Sequence, residues 1–412
     1  MYLNNFKHLK NKETYLLIFL FLFSFLIRIP FIFIFGDTTL ENEWSLLVSY
    51  LTEHKRLYSI LPSLLNIGDF LVPNVFMPPL YAFYLYFFKI FNFSNEIYIL
   101  TILFSQNILS SFSVIIFYNI NKLFFSDKIN IFGTLIFSLF PIHVYACGQI
   151  SSAILQSFLI VTFFYFFFRA IKKENFFNIC FLSLMSGLLI LLRGEFIAFF
   201  LLTILYITLF SKIKLKNIIM MVLLTIFVIS PYLVRNIILV DTITITKSIG
   251  YNLWKGNNLG STVEGNPDFD LNLREQISEV PQDKHYDINA DKVFQEEGIK
   301  NIKNNPTRYF VLYLKKILSF IFIDINSSYP NYYHPLHYLP VLFIGITTIF
   351  GIFLYDKNSY QMNFLMLYFA SNIAIISVFF ILPRYSLAIL PLQIIFSNVF
   401  FEYIKNNFLT KK

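Results

Sequence analysis

Charge is scarce in this chain. Only 14% of its 412 residues are Asp, Glu, Lys or Arg, where a soluble domain carries about 25%. Cysteine is scarcer still. Cys147 and Cys180 both lie in apolar surroundings, and two such cysteines make neither a disulfide framework nor a metal knuckle. His285, His334 and His337 lack metal-ligand spacing, so neither a metal nor another cofactor is expected. No internal repeat or low-complexity linker stands out, so the repeated halves of many transporters are missing. The first apolar run has no small-residue cleavage site and is too long for a signal-peptide core, so it reads as a retained helix.

Apolar sequence is abundant: 57% of residues are hydrophobic and the mean hydropathy is +0.64. Runs near the length of a membrane span recur at 15–35, 79–92, 98–121, 129–147, 150–170, 176–192, 194–210, 217–234, 307–323, 339–355, 362–382 and 386–403. This pattern predicts an all-α polytopic membrane protein with ten to twelve transmembrane helices. Two long polar stretches interrupt it, 36–78 and 235–306. Three parts are therefore expected: a transmembrane module at 1–234 carrying the first polar loop, a small outer subdomain at 235–306, and further transmembrane helices at 307–412.

The net charge of +8 comes from lysines clustered in short loops, at Lys7, Lys10 and Lys12, at Lys122 and Lys128, at Lys172 and Lys173, and at Lys212, Lys214 and Lys216. Such clusters mark the cytoplasmic side and give no reason to invoke nucleic acid. Both long polar stretches then face outward. The block at 79–92 begins Pro78-Pro79 and reads as partial or interfacial, and the block at 307–323 has Lys315 and Lys316 at its middle, as an amphipathic surface helix would.

The first outward loop opens with three acids, Asp37, Glu41 and Glu43. Thr38 to Glu41 fits a capping box, with Thr38 as the N-cap. Trp44, Leu47, Val48 and Leu51 follow at the spacing of one helical face. Two readings stand side by side. The acids cap and solvate a surface helix, or one of them, kept ionised near the helix start, acts as a base.

Residues 231–258, PYLVRNIILVDTITITKSIGYNLWKGNN, carry a pattern of Pro231, Tyr232, Arg235, Asn236, Gly250, Asn252, Leu253, Gly256 and Asn257. This resembles the signature of GT-C class membrane glycosyltransferases, the superfamily of dolichyl-phosphate-mannose protein mannosyltransferases and lipid A aminoarabinose transferase. Tyr232 stands where Trp is usual. Further segments resemble that family in order: ENEW at 41–44, with Glu41 where Asp is more usual; PPLY at 78–81; LFPIHVYACGQISS at 139–152; LLRGE at 191–195; and PRYSLAILP at 383–391.

The resemblance implies a GT-C helical bundle with juxtamembrane helices on its outer face. It also implies an enzyme that moves a sugar from a polyprenyl-phosphate donor to a protein, lipid A or another glycan. The expected membrane is the bacterial cytoplasmic (inner) one, with the active site on the periplasmic side. Glu41, Glu43 and Asp37 are the candidate catalytic acids. Arg384, Arg193, Arg235 and Arg28 are the candidates for the donor phosphate, Arg384 first because it follows Pro383 at a helix start. Tyr81, His143, Gln149, Asn236, Asn252, Trp254, Asn257 and Tyr385 are candidate substrate-lining residues. Each has a plainer reading too. An arginine near a membrane face also snorkels or anchors a helix, and Asn or Trp beside Gly250 and Gly256 also packs a turn. A transporter or flippase, an O-antigen polymerase or ligase, and an inactive scaffold are the competing functions.

Overall fold

The computed structural model describes residues 2–68, 70–329 and 332–409. Among these the regular structure is helical, and one isolated antiparallel bridge joins Tyr58 to Pro73. Five helices are long and apolar enough to cross a bilayer: Lys12–Phe35, Asn95–Asn121, Ala153–Lys172, Leu215–Val240 and Pro335–Leu354. The helices Asp127–Leu139 and Pro141–Gly148 meet at a 50° bend and make a sixth span when taken together as one. The cause is local. Phe140 precedes a proline and takes an extended conformation (φ −61°, ψ 125°), which Pro141 then leaves as the first residue of a new helix. Shorter apolar helices account for the other late and middle blocks: Phe176–Leu192, Phe196–Phe210, Tyr360–Ile376 and Leu390–Ile404. The protein is thus a multi-pass membrane protein of all-α architecture.

The outer surface of the bundle is apolar, as lipid contact requires. Only 22% of an 18-residue apolar stretch within Lys12–Phe35 is buried, and Phe19, Leu22, Leu26, Phe33 and Ile34 are exposed. Polar side chains turn inward and bond across helices, the pattern of membrane bundles. Asn398 Nδ2 donates to Asn121 Oδ1 at 3.0 Å, and the Thr348 hydroxyl donates to the Gln393 carbonyl at 2.9 Å. Gly351 lets the Pro335–Leu354 helix run against the backbone of Phe396, where any Cβ would collide with a carbonyl oxygen.

Two short helices are placed as their lengths dictate. Pro79–Lys89 has 11 residues, about half a bilayer at 1.5 Å rise per residue. Pro306–Ile321 exposes Phe310, Val311, Leu314 and Leu318 and buries Tyr309, Leu312 and Phe320. Its two lysines part company. Lys315 is exposed, whereas Lys316 is fully buried and donates to the Gly256 carbonyl at 2.8 Å and to Asn257 Oδ1 at 3.2 Å.

The expected capping box at Thr38 does not form. The helix starts at Asn42, and Glu41 is its N-cap in an extended conformation (φ −116°, ψ 171°), with the Thr39 hydroxyl donating to Glu41 Oε1 at 2.7 Å. The chain at 37 is tied elsewhere: Asp37 N donates to the Gly148 carbonyl at 2.8 Å. That tie draws residues 36–40 across the bundle and delays the helix. The helix itself follows the predicted face, with Leu47, Val48 and Leu51 buried and Trp44 edge-on to Tyr81 at 4.7 Å.

The two polar stretches meet. Asp287 accepts from the Ser59 hydroxyl at 2.5 Å and from the Val75 and Phe76 amides at 2.9 Å each, so the second stretch is bonded to the first. Arg235 adds two more ties, donating to the Asn74 carbonyl at 2.6 Å and the Leu57 carbonyl at 2.8 Å. Within the second stretch Trp254 stacks on Phe269 at 5.1 Å and packs on Phe294 at 5.1 Å, forming a small core of its own.

Candidate functional site

The site is built around the end of the first helix. Gly36 lies so close to Gly148 that a Cβ on Gly148 would sit 3.2 Å from the Gly36 Cα. This close approach lets Ile150 N donate to Asp37 Oδ2 at 2.6 Å. Gln149, between them in sequence, donates from Nε2 to the Phe35 carbonyl at 3.0 Å. The turn that ends Pro141–Gly148 therefore forms a cradle for one carboxylate. Asp37 is half-buried, and this burial pushes its carboxyl above the usual range; the Ile150 amide opposes the rise and the charge of Glu41 adds to it.

Tyr81 links the acids to the cations. It is buried, and its hydroxyl donates to Gln106 Oε1 at 2.9 Å. Gln106 Nε2 in turn donates to the Gln149 carbonyl at 2.9 Å. Asp37 and Arg384 both lie close enough to Tyr81 to act on it electrostatically. Arg384 stands exposed on the short helix Pro383–Ala388, and its charge also reaches Lys255 and Tyr329. Glu43, half-buried, acts on Tyr251 and Lys255, which are one helical turn apart on Ile249–Asn257. Asp37, Glu41, Glu43, Tyr81, Tyr251, Lys255 and Arg384 therefore share one neighbourhood.

Arg193 and Tyr385 stand behind it. The Arg193 guanidinium lies over the Tyr385 ring at 4.7 Å, pairs with Glu195 at 2.6 Å and donates to Gln156 Oε1 at 3.1 Å. Its charge is met within the protein, and it fixes the tyrosine that follows Arg384.

Other candidate residues are placed elsewhere. Arg28 is fully buried in the bundle and donates to Ser110 Oγ at 3.0 Å and to the Ser24 carbonyl at 2.7 Å. His143 is sealed beside it, with Nε2 2.9 Å from Ser110 Oγ and Nδ1 3.0 Å from the Phe137 carbonyl. Arg235 bonds to loop carbonyls, and Asn236, also buried, donates to the Thr244 carbonyl at 2.6 Å. Trp254 lies in the aromatic core, and Asn257 donates to the Val378 carbonyl at 2.9 Å. These six side chains hold the frame. Asn252 is half-buried on the same helix as Lys255. Lys255 itself escaped the sequence reading, although it stands inside the quoted NLWKGNN; a lysine flanked by Trp254 and Gly256 was the available signal.

Among the described residues, no group of three or more His, Cys, Asp or Glu side chains comes together as a metal site.

No protein-family model and no curated protein sequence matches the chain. Solved structures do. The oligosaccharyltransferase of Archaeoglobus fulgidus, crystallised with zinc and sulfate, superposes with a TM-score of 0.52 at 11% identity, over 94% of this chain and 49% of that one. The similarity establishes the fold: a GT-C type helical membrane bundle. This chain spans about half the length of that protein.

Proposed function

We propose that the protein is a membrane glycosyltransferase that takes a sugar from a polyprenyl-phosphate donor and transfers it to an acceptor group on a protein, lipid A or another glycan. We place the reaction on the periplasmic face of a bacterial cytoplasmic membrane, because the lysine-rich loops lie at the opposite end of the bundle from the acids. Lys122 pairs with Glu13 at 2.6 Å near the start of the first helix, while Asp37 closes its far end.

The observation that carries the reading is Asp37. A carboxylate anchored by a backbone amide, half-buried and raised in basicity, lies within electrostatic reach of the same tyrosine as an exposed arginine. Oδ2 is held by Ile150 N, so Oδ1 is the oxygen that takes the acceptor proton. The acceptor oxygen forms a bond to the anomeric carbon as the bond from that carbon to the phosphate oxygen breaks. The electron pair leaves with the phosphate, and Arg384 stabilises the charge that grows there. Glu41 and Glu43 hold the site negative around the acceptor, and Arg193 keeps Tyr385 in place.

The neighbouring oligosaccharyltransferase was solved with zinc. Among the described residues here, no three His, Cys, Asp or Glu side chains come together as a metal site.

A transporter would line a path near the bilayer midplane with its polar groups. Here the intramembrane Arg28, Ser24, Ser110 and His143 are bonded to one another and sealed. The deciding experiment is incubation of purified protein with a labelled polyprenyl-phosphate sugar, beside the matching diphosphate donor. Turnover of the monophosphate donor is expected. Turnover of the diphosphate alone would move the protein to the polymerase or ligase class, and turnover of neither, with lipid flipping in vesicles, to the flippases.

A further inference from the structure

We infer that Lys255 is a second ligand of the donor phosphate, forming with Arg384 a two-cation site. The inference rests on the reading of the site as one for a lipid-linked phosphate.

Lys255 is half-buried, and its Nζ lies 4.7 Å from the centroid of the Phe380 ring. Among the described residues it forms no ion pair. Its electrostatic neighbours are Arg384, of like charge, and Glu43. An ammonium withdrawn from water, with a guanidinium within electrostatic reach and no carboxylate in contact, is unfavourably placed. An anion lying between the two cations removes that disadvantage. The arrangement is also held rigidly. The Lys255 carbonyl accepts from Asn266 N at 2.8 Å and Ser261 Oγ at 2.9 Å. Tyr251 N donates to Asp291 Oδ1 at 3.0 Å, and Lys316 donates to the next carbonyl, that of Gly256. Gly256 presses on the Phe379 backbone, which fixes the adjoining Phe380. A flexible surface lysine would have none of these supports.

The other three candidate arginines are committed elsewhere. Arg193 is paired with Glu195, Arg235 donates to loop carbonyls, and Arg28 is inside the bundle. Two cations also suit the chemistry. A phosphodiester donor carries one negative charge, and the polyprenyl phosphate that leaves gains another as the sugar bond breaks. One cation holds the donor, and the second is matched to the charge that appears only on leaving.

The test measures binding of polyprenyl phosphate, and of uncharged polyprenol of the same length, to the full-length protein in nanodiscs by native mass spectrometry. Wild type should prefer the phosphate. Lys255→Met should weaken phosphate binding about ten- to hundredfold, the usual effect of losing a bond to a charged group, and leave polyprenol binding unchanged. Lys255→Arg should restore affinity to within a few-fold. Lys255→Gln serves the same purpose should the methionine variant not fold. If Lys255→Met binds the phosphate as wild type does while Arg384→Met loses it, the inference is overturned and the phosphate site stands on Arg384 alone. If wild type does not distinguish the phosphate from the alcohol, the site reading itself fails, and the inference with it.

Discussion

Replacing Asp37 by Asn separates the roles of this carboxylate. Asn keeps the shape and can still accept from Ile150 N through its carbonyl oxygen, so the 2.6 Å tie survives as a neutral bond. The change from a charge-assisted to a neutral bond costs about 1 kcal/mol, a loss of a few degrees in melting temperature at most for a chain this long. The chemistry loses far more. A positioned base contributes about a hundred- to ten-thousandfold in rate, and an amide cannot take the acceptor proton. Turnover should therefore fall by at least two orders of magnitude while the melting curve barely moves. Asp37→Ala removes the tie as well and leaves the Ile150 amide unpaired, adding about 1–3 kcal/mol of destabilisation. The assay is transfer from a labelled polyprenyl-phosphate sugar, run beside thermal unfolding of the same preparations. Asp37→Asn with turnover within tenfold of wild type would refute the assignment. Inactivity of Glu43→Gln in that same assay would then hand the role to Glu43.

Three further outcomes follow from the same structure. Arg384→Lys keeps the charge but loses the planar fork, and turnover should drop on the order of a hundredfold if the fork binds phosphate; turnover within a few-fold of wild type would make Arg384 an anchor. Burial pushes Lys316 down to about 7, so between that pH and the ordinary lysine range near 10.4 the unfolded chain holds a proton that the folded protein has released. Stability should therefore rise as pH rises from 7 to 9 and be lost as pH falls back, and Lys316→Met should flatten that slope; equal slopes would show that Lys316 does not titrate in this window. Single cysteines at the exposed positions Asn66 and Leu259 should both label with an impermeant reagent in intact spheroplasts. Protection of either until lysis would overturn the assigned topology.

The bundle was legible because its driving force is written locally. Apolar runs name spans, and the spacing of Leu47, Val48 and Leu51 names the buried face, whereas the bend at Pro141 lay hidden inside a run read as continuous over 129–147. What the sequence hid was partnership. Arg28, Arg193, Arg235 and Arg384 look alike as letters near helix ends or polar groups. Three of them are satisfied by groups far away in the chain: Ser110 for Arg28, Gln156 for Arg193, and the Leu57 and Asn74 carbonyls for Arg235. Backbone carbonyls leave no trace in composition, so no pattern could have assigned Arg235 to the loop it ties. Asp287 is hidden in the same way, since two of its partners are the amides of Val75 and Phe76. The capping box failed for a related reason: the competing bond from Asp37 N ends on the Gly148 carbonyl, more than a hundred residues on.

The distribution of partners also argues for where substrate goes. The acids come from one loop, and the cations Lys255 and Arg384 come from two later segments. Opposite charges placed this near would pair if they could touch, and elsewhere in the protein they do, as Arg193 does with Glu195. Among the described residues no ion pair joins Asp37, Glu41 or Glu43 to Lys255 or Arg384. Yet Asp37 and Arg384 both act on Tyr81, and Glu43 and Arg384 both act on Lys255. The two sets are therefore near enough to share a field and too far apart to neutralise each other. The rigid ties at Ile150, Asn266 and Gly256 hold them so. A gap of this kind fits the transfer proposed above, in which a proton leaves on one side and a phosphate on the other, with the anomeric carbon between them.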